Sequence, residues 1–305
     1  MIERSRTFDV VTYAGMVLGL FIIVTPFWIV LVGASLSLPE VSHVPMRLWP
    51  SEHLFENLAK AWGRADLGPK LVNTFIVATL VTLGKITIAA FTAFSIVFFN
   101  FRSRMVIFWL IFITLMLPLE VRIVPTYSIA ANALQPFQTL LDVVGVTGLV
   151  ESVTGFRIAM NWNLLNSYSG LILPLVATAT GTFLYRQFFM TVPDELVEAS
   201  KMDGSGPMRF FFDVLIPLSR TNMLALATIM FVYSWNQYLW PLLVTTDRPH
   251  YGTVMMELKS LIPAQNGMPE WNVTMAGALI VMLPPLLIVA FMQRWFVRGL
   301  IAKDK

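Results

Sequence analysis

The chain alternates long apolar stretches with short polar ones, and the apolar stretches exceed what a soluble core needs. No Asp, Glu, Lys or Arg occurs between Asp9 and Glu40, between Arg157 and Arg186, between Arg220 and Asp247, or between Glu270 and Arg294. A helix of about 20 mostly apolar residues crosses roughly 30 Å of hydrocarbon, so each of these gaps is long enough to span a membrane. Two shorter gaps, Lys85 to Arg102 and Arg104 to Glu120, are completed by apolar neighbours on their outer sides. The pattern predicts six spans, near residues 11–35, 72–99, 105–130, 168–190, 221–245 and 273–293. Lipid offers the backbone no hydrogen-bond partners, and the runs do not alternate as barrel strands do, so the spans are expected to be helices and the fold class all-α. The small residues Val32-Gly33-Ala34 look like a cleavage site, but the apolar run before them is longer than the roughly 7–15 residues of a signal peptide. An uncleaved first helix is expected.

Composition agrees with a membrane protein. Of the 305 residues 56% are hydrophobic and only 13% charged, where ordinary globular domains carry about 25% charge. Lys and Arg accumulate on the cytoplasmic side of membrane proteins. That rule places Arg102, Arg104, Arg186, Lys201, Arg209 and Arg220, and both termini with Arg4, Arg6, Arg294, Arg298, Lys303 and Lys305, in the cytoplasm. The net charge of +3 reflects this bias, and nothing points to nucleic acid. Cysteine is absent, which excludes disulfides and thiolate chemistry, and His43, His53 and His250 lack metal-ligand spacing.

Three divisions are expected: residues 1–71 as tail, first span and external connection, 72–293 as the transport core, and 294–305 as a cytoplasmic tail. Segments 36–71 and 246–272 read as external connections, the first with a short helix around Leu54–Trp62. An external insertion at about 132–167 holds only three charges. It either docks a partner or covers the mouth of the bundle.

The cytoplasmic loop 190–220 is the most informative stretch. Thr191 is placed to cap a helix with Asp194 three residues on, Pro193 suits the first turn, and Gly204 suits a left-handed helix end. Pro207 then opens a second helix whose Phe210, Phe211, Val214 and Leu215 make an apolar face. Such a hairpin on the membrane surface is shaped to transmit a push.

Glu198-Ala199-Ser200, Gly204, and Val214-Leu215-Ile216-Pro217 resemble, with all spacings in agreement, the Glu-Ala-Ala loop of type I ABC importer permeases. Ser200, Val214 and Ile216 depart conservatively from that family's preferred residues. The resemblance implies that Glu198, Ala199, Ser200, Asp203, Gly204 and Pro217 couple the chain to an ATP-binding subunit. The run Trp235-Asn236-Gln237-Tyr238-Leu239-Trp240-Pro241-Leu242 is similar to a stretch of the carbohydrate-importer permeases related to the maltose system. Residues 114–126, 186–191 and 293–300 resemble the branch that imports sn-glycerol-3-phosphate, while the insertion at 132–167 departs from it. The resemblance implies a multi-pass protein of the bacterial inner membrane that works with a homologous second permease, two ATP-binding subunits and an external solute-binding protein. No cofactor is expected on this chain, since Gly84-Lys85-Ile86 fails the phosphate-loop pattern. ATP and magnesium belong to the partner subunits.

Ionisable groups at membrane depth are costly and usually face the bundle interior. Lys85, mid-way along the second span, either binds an anion in transit or pairs with a carboxylate or carbonyls. Glu120 and Arg122 sit between Pro118 and Pro125, which favour a kinked, cavity-lining segment. Arg122 suits a phosphate, and a local Glu120–Arg122 pair is the alternative. Asn236 and Gln237, read as polar groups inside an apolar helix, suit a polyol, and Trp235 and Tyr238 offer flat faces or packing. Sn-glycerol-3-phosphate or a glycerophosphodiester is the leading solute, a neutral oligosaccharide or polyol the next. An ion-coupled secondary transporter would need carboxylates deep in several spans, and an enzyme would need a nucleophile or metal cluster.

Overall fold

The computed structural model describes residues 6–117, 119–262 and 269–301. Arg4, Pro118, Lys303 and Lys305 lie outside them, as do the side chains of Glu120, Arg294 and Arg298. Among the described residues every regular element is helical, as expected of an all-α chain.

Among the described residues, three helices are long and apolar enough to cross a membrane uninterrupted: Phe8–Ser35, Leu67–Phe98 and Trp271–Gln293. The other three expected stretches each fold as two shorter helices. Residues 105–130 divide into Arg104–Met116 and Leu119–Ala131, with Leu117 extended between them. Residues 168–190 divide into Tyr168–Val176 and Ala179–Phe189, bent by 44°. Residues 221–245 divide into Arg220–Trp235 and Leu239–Val244.

Local chemistry explains these breaks. The hydroxyl of Ser167 accepts from the Gly170 N–H at 3.1 Å, and that of Thr178 from the Gly181 N–H at 3.3 Å, so each half of the fourth stretch has its own N-cap. Pro174 lacks the N–H that the carbonyl of Gly170, four residues earlier, would accept in a regular helix. The indole Nε1 of the buried Trp240 donates to that freed oxygen at 3.1 Å. A backbone defect in one stretch is thus satisfied by a side chain from the next, as apolar surroundings demand.

The chain divides into two compact units. The first is Met1–Leu71 with Val254–Pro284. Its polar anchor is Asn57, 1% exposed, whose Nδ2 donates to the carbonyls of Ala34 and Leu36 at 2.8 Å and whose Oδ1 accepts from Asn272 at 2.9 Å. The expected short helix is present as Leu54–Arg64, carrying the Lys60–Glu56 pair at 2.7 Å. Arg64 pairs with Glu270 at 2.8 Å.

The second unit is Val72–Thr253 with Pro285–Lys305. Small residues bring its helices close, as they do in lipid, where apolar contact alone gives little driving force. A Cβ on Gly84 would lie 2.7 Å from Val176 Cγ1, and one on Gly181 2.9 Å from Ala89. The helix Leu67–Phe98 is therefore held tightly on both halves of the bent fourth stretch. The insertion at 132–167 is itself structured, as the helices Gln135–Val143 and Val146–Thr154. Gly145 turns between them at φ +81°.

Candidate functional site: a surface hairpin and a charged cavity

The hairpin begins at Asp194–Met202. Thr191 is not its cap: its hydroxyl donates back to the Phe188 carbonyl at 2.7 Å, and Pro193 takes the cap position with Asp194 and Glu195 in the first turn. These carboxylates complement the positive helix end. The other end follows the expectation. Gly204 has φ +71°, the Ser205 N–H donates to the Ser200 carbonyl at 3.0 Å, and the Gly204 N–H to the Lys201 carbonyl at 3.0 Å. Together these bonds form a Schellman motif, which requires a residue tolerant of left-handed backbone. Pro207 then starts the second helix, and Phe211–Leu215 forms a π-turn in which the Ile216 N–H reaches the Phe211 carbonyl. Pro217 follows at once and cannot donate to Asp213, which favours that irregularity.

The hairpin has two faces. Val192, Ser200, Phe210, Phe211 and Leu215 are buried, whereas Glu198, Ala199, Lys201, Met202, Asp203, Gly204 and Pro217 are exposed. Ser200 differs from its motif neighbours: its side chain points inward and its carbonyl closes the turn. The buried face meets the lower part of the Leu67–Phe98 helix. Phe211 stacks on Phe91 with centroids 4.7 Å apart and lies 4.9 Å from Phe94, and Phe210 meets Phe98 edge-on at 5.5 Å. Tyr185, Phe189, Leu226 and Met230 complete this cluster.

Thirteen residues before Phe98 on the same helix, about 20 Å at 1.5 Å per residue, stands Lys85. It is 4% exposed, and its Nζ lies 4.3 Å from the centre of the Tyr233 ring. A cation–π contact of this kind recovers about 1–2 kcal/mol, less than removing an ammonium from water costs. Lys85 and Arg122 line one cavity with Thr126, Pro174, Leu175, Ala177, Tyr233 and Trp240. Thr126 lies one helical turn beyond Arg122 and donates its hydroxyl proton to the Arg122 carbonyl at 2.7 Å. Among the described residues no carboxylate lies within 4 Å of either cation. Glu120, whose side chain lies outside the described residues, leaves the expected Glu120–Arg122 pair without a test.

The remaining candidates are not gathered into this cavity. Trp235 is 1% exposed and packs against Phe231 at 5.7 Å, which makes it core. Asn236 and Gln237 do not lie inside a helix: with Tyr238 they form the break after Trp235, and the Gln237 amide donates to the Tyr233 carbonyl at 3.4 Å. The Gln237 side chain thus takes the carbonyl that its own N–H would reach in a continuing helix, and that N–H turns to the Ser234 carbonyl at 3.4 Å. Thr126 and Tyr233 were missed by sequence reasoning. For Thr126 a signal existed in its four-residue offset from Arg122; for Tyr233 no pattern singled it out.

Residues 85–302 match the family model of the binding-protein-dependent transport system inner membrane component. Over their whole lengths the chain is 44% identical to the sn-glycerol-3-phosphate transport system permease protein UgpE of Pectobacterium atrosepticum. It is also 44% identical, again with both chains fully covered, to the protein of that name from Escherichia coli O1:K1 / APEC. Among solved structures, a bacterial ABC transporter involved in the import of the acidic polysaccharide alginate superposes with a TM-score of 0.70 at 18% identity, covering 97% of this chain and 100% of that one. That likeness establishes the fold. Matched by that family model over most of its length and by these relatives over all of it, the chain belongs to the binding-protein-dependent transport system inner membrane component family, as a multi-pass membrane permease of an ABC importer.

Proposed function

We propose that the chain is the permease subunit through which sn-glycerol-3-phosphate, or a related glycerophosphodiester, crosses the bacterial inner membrane by six spans with both termini in the cytoplasm. The observation that carries the transport reading is the hairpin that exposes Glu198, Ala199 and Gly204 while its Phe210 and Phe211 grip the Lys85 helix. The solute class is supported by the names of the full-length relatives. A homologous second permease, a pair of ATP-binding subunits and an external solute-binding protein complete the assembly. ATP and magnesium are held by the ATP-binding pair.

The mechanism follows from the two faces. Closure of the ATP-binding pair displaces the exposed surface around Glu198. Close-packed aromatic rings transmit displacement rather than absorb it, so the push reaches Phe91, Phe94 and Phe98 and moves the helix that bears Lys85. The spans rock from inward-facing to outward-facing, receive solute, and release it to the cytoplasm on return.

Glu198→Ala is expected to abolish uptake and weaken attachment of the ATP-binding subunits while membrane abundance stays normal. Uptake of labelled sn-glycerol-3-phosphate, glycerophosphocholine and maltose by the reconstituted complex sorts the solutes. Normal uptake in Glu198→Ala removes the coupling role, and transport of maltose alone removes the phosphoester.

A further inference from the structure

In the second unit the buried Lys85 and the exposed Arg122 line one small cavity, and the transport reading alone does not say what they are for. We propose that Lys85 and Arg122 form an anion site for the phosphoryl group of the solute in transit, with Thr126 accepting a hydroxyl of its glycerol part. The assignment rests on the phosphoester reading above and adds the residues that would make the pathway selective for it.

Three observations converge. Lys85 is 4% exposed and, among the described residues, touches no acceptor: its contact is the face of Tyr233. An ammonium removed from water is tolerated where a counter-charge answers it. Arg122 lines the same cavity, and a second positive charge raises the cost of the first instead of lowering it. Two cations lining one cavity therefore point to an anion that arrives and leaves. Their chemistry is complementary as well. Arginine offers a planar fork that matches two phosphate oxygens, and lysine a compact charge that meets a third.

Thr126 refines the class of ligand. Its proton is given to the Arg122 carbonyl, which leaves its oxygen as an acceptor on a residue that lines the cavity. It suits a ligand carrying a hydroxyl close to its phosphate, as a glycerol phosphoester does. Trp240 completes the wall as an apolar face, since its Nε1 is committed to Gly170. The cavity measures about 70 Å³ in this chain and has both charged and apolar walls.

The site can be tested in the complete reconstituted complex by reading uptake of sn-glycerol-3-phosphate together with ATP hydrolysis. Losing a charge-assisted contact is expected to lower the maximal uptake rate at least about tenfold in both Lys85→Gln and Arg122→Gln. KM is expected to stay within about twofold of the parent, because capture occurs on the external protein before the solute reaches this cavity, and hydrolysis stimulated by the loaded binding protein persists. Lys85→Arg, which keeps the charge, restores a large part of the rate. A purely structural role predicts instead that abundance, hydrolysis and uptake fall together. If Lys85→Gln does not assemble, Arg122→Gln decides, since the Arg122 side chain is exposed and its loss leaves the fold in place.

Uptake unchanged in Arg122→Gln and in any assembled Lys85→Gln complex overturns the assignment. So does a loss in Glu120→Gln as large as that in Lys85→Gln, which would mean that the cations answer an internal carboxylate. A parent complex that carries maltose but no phosphoester brings down the solute reading and this site with it. A parent complex that carries the phosphoester, with variants equal to it, brings down the site alone.

Discussion

Two short helical hairpins of the second unit, Asp194–Leu218 and Gln135–Thr154, are built from similar parts and held in opposite ways. Each turns on a glycine with left-handed backbone, Gly204 at φ +71° and Gly145 at φ +81°. The first sinks Phe210, Phe211 and Leu215 into an aromatic cluster. The second buries only Thr147 of its helical residues and leaves Phe137, Leu140, Val143, Leu149 and Val153 at 60% exposure or more. It is tied at its base by hydrogen bonds: the Ala133 N–H to the Trp162 carbonyl at 2.8 Å, the Leu164 N–H to Ala130 at 2.9 Å, and the Asn132 and Asn166 side chains. Helical form alone therefore says little about mechanical role. In the mechanism proposed above, a hairpin transmits force only when its side chains are packed into the body it must move, as those of the first hairpin are.

The comparison breaks most sharply at the phenylalanines. Phe211→Ala removes a ring that is 2% exposed between Phe91 and Phe94, and truncations of this kind cost about 3–5 kcal/mol. The hairpin is expected to loosen and uptake to collapse, with the thermal transition of the purified complex shifted down. Phe137→Ala removes a ring that is 60% exposed and is expected to change stability by less than about 0.5 kcal/mol. Equal melting shifts in the two variants would mean that the hairpins are anchored alike.

The glycines sharpen the contrast because their backbone cost is the same. Alanine in the left-handed region costs about 1–2 kcal/mol at either site, and a Cβ would meet nothing within 4 Å at Gly204 or Gly145. Gly204→Ala is expected to unwind the turn beside Glu198 and lower uptake several-fold. Gly145→Ala is expected to leave uptake near normal. A matched loss in both would show that backbone strain, and not its place beside Glu198, sets the outcome.

How much of this was legible beforehand depends on the range of the interactions. The helices around Lys85 and the glycine turn at Gly204 were legible because charge gaps and helix ends are local features of the chain. The breaks at Ala177 and Asn236 were not. Hydropathy averages over a window and stays high across a proline or a cap, so 168–190 and 221–245 each looked like one span. Thr191 was misread for a related reason, since a hydroxyl near a helix start either caps forward or donates back, and the choice depends on the preceding helix ending at Phe189. The cavity was half legible. Lys85 and Arg122 stood out as charges in apolar surroundings, whereas the pairing of Trp240 with Gly170 is a contact across 70 residues that no local pattern contains.

The smallest effect tests the tether itself. Asn166 has φ +52°, and its Oδ1 accepts from the Thr246 N–H at 2.7 Å and the Asp247 N–H at 2.9 Å, while its Nδ2 donates to the Thr246 hydroxyl at 2.9 Å. Asparagine and glycine both tolerate that backbone, so Asn166→Gly deletes the bonds without adding strain. Solvent competes at so open a site, and the net loss is expected to be about 1 kcal/mol. Hydrogen exchange of amides 133–164 should quicken about fivefold while those of 194–218 keep their rates. Faster exchange in both segments would mean that the hairpins at 135–154 and 194–218 share one cooperative unit, and the distinction between tethered and packed would fail.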